Sequence, residues 1–229
     1  MVVRRLARRK DTFFTGALFS IEGWAGDGPG RLRVRNGLGP EWDDLNYRIE
    51  HREELLDKVF DLAPTEGCAG VKHHLSGAAE VTETIIADPS IAVILLTRLN
   101  FLACYSSTKL VALKQQQAAA KTATPVKAVF VPEEFAQFVR IRNRIDERWR
   151  SRIAAAAGGC LDIDYEEART ARGEARIVQY LGLDDSYSQS APTLKRNSDD
   201  IVGRFENPSE ATQFLLENNL THWASEGQL

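Results

Sequence analysis

The chain has 229 residues and a mass of 25.5 kDa, room for one large α/β domain or two small ones. At 43% hydrophobic, 27% charged and 8% aromatic it has the make-up of a chain that folds around a core, not of a disordered one. Its 29 Lys and Arg against 32 Asp and Glu leave a net charge of −3, so an anion site has to be a local cluster, and the balance points away from a general nucleic-acid binder.

No run of about 18 apolar residues is present, so no segment reads as a membrane-crossing helix. Val2 to Lys10 reads as part of a basic helix, and no apolar core of a secretory signal follows it. Thr12 to Phe19 is rich in β-formers and predicts a strand. Residues 22 to 46, with many glycines, Pro29 and Pro40, read as a long surface loop. Gly26, Gly28 and Gly30 have the wrong spacing for a dinucleotide fingerprint, and Pro29 interrupts them.

From Tyr47 to Leu62 the apolar residues Ile49, Leu55, Leu56, Val59 and Phe60 fall largely on one helical face. Cys68 to His73 predicts a short strand, and Ala78 to Ala87 a helix ended by Asp88-Pro89. Ile91 to Thr97 is apolar on both faces, the pattern of a buried strand in a parallel sheet. Phe101 to Lys121 predicts a helix. Pro132-Glu133-Glu134 starts another, with proline at the first position and acids at the positive end of the dipole. Phe135, Phe138, Arg142, Ile145, Trp149 and Ile153 carry it on until Gly158-Gly159 stops it.

Leu161 to Tyr165 then predicts a strand, Glu174 to Leu181 a helix, Asp184 to Asp200 a polar loop and Ser209 to Asn218 a last helix. Strands alternating with helices, and no internal repeat, imply one α/β domain over 1–229 with a mostly parallel sheet covered on both sides. The three cysteines, Cys68, Cys104 and Cys160, form no CxxC. They suit the role of small buried hydrophobes in a reducing cytoplasm. No cluster of metal ligands is implied.

In an open parallel sheet, ligands bind beyond the carboxyl ends of the strands. Arg98 ends the 91–97 strand and Ser106 lies on the helix that returns from it. A guanidinium fork and a hydroxyl so placed can converge on one anion and suit a terminal phosphate. An exposed arginine and a helix serine that never meet would carry the same spacing.

These residues stand in a stretch, IAVILLTRLNFLACYSSTKL (91–110), that resembles the strand–Arg–helix–Ser motif of sulfotransferases using 3′-phosphoadenosine-5′-phosphosulfate. Three further stretches resemble that family in the same order. LDIDYEEA (161–168) is similar to its strand ending in Tyr-Glu-Asp/Glu. IVQYLGLD (177–184) with LKRNSDDI (194–201) is similar to its closing helix and basic cofactor-covering loop. TFFTGALFS (12–20) looks like the Gly-Glu-x-Phe segment of bacterial nodulation-type and carbohydrate- or lipid-modifying members. GVKHHL (70–75) is similar to the Lys-x-His that follows a strand in cytosolic members.

The resemblance covers most of the chain from Thr12 onward. It implies a P-loop NTPase-like parallel sheet flanked by helices, of sulfotransferase type. It further implies that Arg98 and Ser106 hold the 3′-phosphate of the donor, that Tyr165 flanks the adenine, and that Lys195 and Arg196 cover the phosphates. His74 would then be the base and Lys72 the helper of the leaving group, with His73 the rival base. A histidine pair ending a strand is also commonly a hydrogen-bonded surface pair. The acceptor would be a hydroxyl on a sugar, glycolipid or other small molecule. No nucleic acid and no transmembrane segment enter, and a homo-oligomer is compatible.

Two departures from the family stand out. Its phosphate loop of the type Pro-x-Ser-Gly-Thr/Ser-x-x-Leu is absent and would precede residue 1, which implies a fold short of its N-terminal part. Ala17 stands where bacterial relatives have a glutamate, and alanine moves no proton. The alternatives are an inactive sulfotransferase-like module that binds nucleotide or protein, and a truncated product that folds with help from another chain.

Overall fold

A computed structural model describes residues 6, 9–20, 34, 36, 38–120, 126–184 and 198–226. The strands are β1 (Thr12–Phe14), β2 (Cys68–Gly70), β3 (Val93–Thr97) and β4 (Cys160–Asp164). The helices are α1 (Leu45–Glu50), α2 (Arg52–Phe60), α3 (Ala79–Ala87), α4 (Phe101–Ala120), α5 (Pro132–Ala154), α6 (Ala171–Tyr180) and α7 (Pro208–Glu217). The chain is therefore α/β, and among the described residues the ladders β1–β2 and β3–β4 are both parallel. Thr12 pairs with Cys68 at the start of β1–β2, and Val93 with Cys160 at the start of β3–β4. Among the described residues these are two separate two-stranded sheets, where the sequence suggests one.

The chain divides into two compact units: residues 1–97 with 147–193, and residues 98–146 with 194–229. The first unit contains β1, β2, β3 and β4. Its larger core gathers Leu18, Phe19, Trp42, Leu55, Leu56, Val59 and Val81, and a smaller one gathers Leu6, Ile163, Ala168 and Ile177. The second unit is built on an aromatic core. Tyr105 and Phe135 lie 5.3 Å apart between ring centres, and Phe130 and Phe205 5.4 Å apart and edge-on, an arrangement that favours ring pairs beyond simple burial.

Local signals explain most element ends. Thr170 caps α6, its side chain accepting from the Gly173 N–H at 3.0 Å. The helix closes on Gly182, whose φ of +65° suits a residue without Cβ. The Gly182 N–H donates to the Gln179 carbonyl at 3.1 Å and the Leu183 N–H to the Val178 carbonyl at 3.0 Å, the paired bonds of a Schellman stop. α7 ends in the same way with Asn219 at φ 57°, and there the Leu220 N–H reaches the Leu215 carbonyl at 2.8 Å.

Several expectations are corrected. The strand predicted over Thr12–Phe19 ends at Phe14: the Thr15 N–H still donates to the Gly70 carbonyl at 2.9 Å, and further on, at Leu18 and Ser20, a side chain takes over from the ladder. The fully buried Arg48 donates to the carbonyls of Leu18 at 2.9 Å and Ser20 at 3.3 Å, and to that of Trp42 at 2.7 Å. The strand predicted over Cys68–His73 ends at Gly70, beyond which the Lys72 N–H makes a long 3.4 Å bond to Gly16. β3 is not buried on both faces: Leu95 is buried, but Leu96 is 40% exposed. The helix predicted over Tyr47–Leu62 is two helices that break at His51, whose ring stacks on Tyr47 at 4.1 Å. α5 stops at Ala154, ahead of the glycines. Gly158 serves instead for close approach, since a Cβ there would sit 2.2 Å from the Ile91 carbonyl oxygen. Most of the basic segment 2–10, of the loop 22–46 and of the loop 184–200 lies outside the described residues.

Candidate functional site

In the second unit the start of α4 is organised by Asn100. Its Oδ1 accepts from the Ala103 N–H at 3.0 Å, capping the helix. Its amide nitrogen donates to the carbonyls of Trp223 at 3.1 Å and Ser225 at 3.2 Å, which ties the segment 221–226 to the first turn of α4. The same segment forms an antiparallel bridge between Ser225 and Asp200. On either side of it the Glu226 N–H donates to the Asp199 carbonyl at 3.0 Å and the Ile201 N–H to the Ala224 carbonyl at 2.9 Å. The segment that carries Glu226 is thus anchored both by Asn100 and by residues 199–201.

Its carboxylate meets two arginines. Oε1 of Glu226 accepts from Nη2 of Arg98 and, at 3.2 Å, from Nη2 of Arg204. The side chains of Glu226 and Arg204 are 3% and 4% exposed, and that of Arg98 is 20% exposed. Arg204 extends the network. Its Nη1 donates to Ser106 Oγ at 3.1 Å, and its Nε donates to the Ser198 carbonyl at 3.1 Å. Ser106 is fully buried, and its hydroxyl donates to the Ala103 carbonyl at 3.2 Å.

Arg98 and Ser106 therefore belong to one buried network, joined through Glu226 and Arg204. Charge-assisted hydrogen bonds in a water-poor setting are the strong kind, and planar guanidinium forks match oxyanions in both charge and shape. Two guanidinium groups and a hydroxyl form a donor set suited to a phosphate as well as to a carboxylate.

The first unit holds Lys72, His73, His74 and Tyr165. Lys72 and His74 are exposed and His73 is half-buried, the alternation of an extended segment after β2. His73 Nε2 shares a hydrogen bond with the buried Thr82 Oγ1 at 3.0 Å, and the ring stands edge-on to Phe19. Burial, with a smaller push from His74, lowers its pKa to about 4, so His73 is neutral near pH 7 and poorly matched to a base working there. Tyr165 follows β4, its N–H donating to the Thr97 carbonyl at 2.7 Å. The Arg169 guanidinium lies 5.7 Å from the centre of its ring. Ala17 is half-buried, and its carbonyl accepts from Ser20 Oγ at 3.1 Å.

Lys195 and Arg196 lie outside the described residues. The thiols of Cys68, Cys104 and Cys160 are all pushed up, chiefly by burial, and each residue is half-buried. Among the described residues no group of three or more metal-ligating side chains comes together, and no helix is long and apolar enough to cross a membrane.

Three functional candidates escaped sequence reasoning: Asn100, Arg204 and Glu226. An asparagine directly before an apolar helix is a capping signal that could have been used. Arg204 and Glu226 carry no local signal. They sit 98 residues from Ser106 and 128 from Arg98, respectively, and only folding brings them in. Compared with family models, with curated proteins and with solved structures, the chain matches none.

Proposed function

We propose that this chain takes 3′-phosphoadenosine-5′-phosphosulfate as donor substrate and transfers its sulfuryl group to a hydroxyl acceptor, a sugar, glycolipid or other small molecule, within a P-loop-like α/β fold of sulfotransferase type. The observation that supports it best is the buried network of Arg98, Arg204, Ser106 and Glu226. It brings into one anion-holding cluster the two residues that the resemblance assigns to the 3′-phosphate. The donor set fits that phosphate in chemistry, with guanidinium groups for its charge and a hydroxyl for a further oxygen.

In this proposal Arg98 and Ser106 bind the 3′-phosphate, Tyr165 flanks the adenine, and Lys195 with Arg196 covers the phosphates. His74 takes the proton of the acceptor hydroxyl as its oxygen forms the new bond to sulfur. The bond from sulfur to the bridging phosphate oxygen breaks, and Lys72 stabilises the negative charge left there. In-line positioning and cations at the developing charge are the demands of such a transfer, by analogy with phosphoryl transfer. His74 suits the role of base better than His73, which burial holds neutral and hydrogen-bonded to Thr82.

A second function, a nucleotide- or protein-binding module that transfers nothing, is favoured by Ala17, which leaves no proton-moving group at that position. Calorimetric titration with adenosine 3′,5′-bisphosphate, with AMP as control, tests the binding common to the enzyme and the nucleotide-binding form. Binding that requires the 3′-phosphate supports both, and turnover with an acceptor panel then separates them. Equal or absent binding of the two nucleotides overturns the nucleotide site.

A further inference from the structure

We infer that the Glu226 carboxylate is an internal occupant of the anion site formed by Arg98, Arg204 and Ser106, and that a phosphate enters only when this carboxylate leaves. For the nucleotide the inference rests on the function proposed above. The chemistry is read directly from the cluster. One carboxylate oxygen takes a donor from each of the two guanidinium groups, and the second guanidinium also holds the Ser106 hydroxyl at 3.1 Å. A carboxylate on two arginines and a phosphate on two arginines use the same forks. Because the Glu226 side chain is 3% exposed, it leaves together with the backbone that carries it. The bond from the Glu226 N–H to Asp199 and the Ser225–Asp200 bridge open with it. The segment 221–226, tied to Asn100 by two hydrogen bonds, is then a strap closed over the site by its own anion.

The consequence is a tax on affinity. A ligand that binds only the open form has its apparent Kd raised by the reciprocal of the open fraction. Replacing the carboxylate by a neutral isostere removes the charge that holds the strap shut. The test is calorimetric titration of the wild-type chain and of Glu226→Gln with adenosine 3′,5′-bisphosphate, AMP and inorganic phosphate. The variant is expected to bind the bisphosphate at least about tenfold more tightly than wild type, the gain for an open fraction of about one-tenth.

If wild type binds the bisphosphate and the variant binds it no better, the occupant role is overturned and the nucleotide site stands. If neither protein distinguishes bisphosphate from AMP, yet the variant gains affinity for inorganic phosphate, the occupant role stands and the nucleotide reading falls. No phosphate binding to either folded protein overturns both. Should the variant not fold, hydrogen exchange on wild type decides. Saturating bisphosphate is expected to speed exchange of the Glu226 and Ile201 amides, and unchanged or slowed exchange overturns the strap.

Discussion

Arg204 donates to the hydroxyl of Ser106 at 3.1 Å, across 98 residues of chain and inside a part of the second unit closed to water. The same guanidinium also holds the Ser198 carbonyl and the Glu226 carboxylate, so a single side chain joins α4, the 198–204 segment and the 221–226 segment. Its place is structural as well as electrostatic. A buried charge with every partner in place is tolerable, whereas one deprived of a partner is expensive.

Arg204→Ala is accordingly expected to destabilise the protein by about 3–5 kcal/mol, since it leaves the Glu226 carboxylate short of a partner. Ser106→Ala removes the hydroxyl's bonds to Arg204 and to the Ala103 carbonyl and is expected to cost about 1–3 kcal/mol. Urea unfolding of the two variants and of the double variant measures their coupling. Strict additivity would mean that the 3.1 Å contact contributes nothing of its own.

Arg98→Ala is expected to weaken binding of adenosine 3′,5′-bisphosphate by about one to two orders of magnitude, the worth of one charge-assisted hydrogen bond to phosphate. AMP, which lacks the 3′-phosphate, serves as the internal control. Unchanged bisphosphate affinity would remove Arg98 from the site.

The buried Arg48 is a second charged anchor, in the first unit. It donates to the carbonyls of Leu18, Trp42, Asp43 and Ser20. Arg48→Met keeps much of the bulk but leaves those carbonyls without these donors, and a loss of about 3 kcal/mol or more is expected. Chemical denaturation reads it directly, and a loss below about 1 kcal/mol would show that water replaces the guanidinium.

His73 predicts a pH dependence with a definite sign. Its pKa falls from 6.5 to about 4 on folding, so between those values the unfolded chain binds the proton and the folded one does not. Stability from this residue is complete above pH 6.5, declines as pH falls toward 4, and levels off below it. The total is about 3 kcal/mol. Unfolding free energies at pH 7.5 and pH 4.5 should therefore differ by more in wild type than in His73→Gln. Equal differences would mean that His73 titrates normally in the fold.

Gly182 and Asn219 close their helices in the same left-handed conformation, at φ 65° and 57°. No atom lies within 4 Å of a Cβ built at Gly182, so Gly182→Ala tests backbone conformation alone, and a loss of about 1 kcal/mol is expected. Asn219→Gly should be neutral or slightly stabilising. Thermal unfolding of both variants checks the pair, and a stabilised Gly182→Ala or a clearly destabilised Asn219→Gly would indicate that other contacts dominate.

Much of the helical framework was legible in the sequence because its signals are local. Pro132 with Glu133 and Glu134 opens α5 where the sequence places it, and the apolar spacing that follows needs only neighbours along the chain. Ser106 on α4 and Arg98 after β3 were equally readable as positions. Strand lengths were not, because a strand lasts only as long as a neighbouring segment pairs with it, and at Leu18 and Ser20 the carbonyls are held by Arg48, about 30 residues away. A strand composed of apolar residues also need not be covered, as the exposed Leu96 shows.

By itself, then, the sequence determined the position of most helices, which follows from periodicity and capping within a few residues, and the α/β class with parallel strand pairs, which follows from the alternation of strands with helices along the chain. Only the tertiary structure decided which charges are buried and what they hold. Hydrogen bonds between Arg204 and Ser106, or Arg98 and Glu226, depend on groups about a hundred residues apart that become neighbours when water is squeezed from between them. No local pattern in the chain encodes that desolvation.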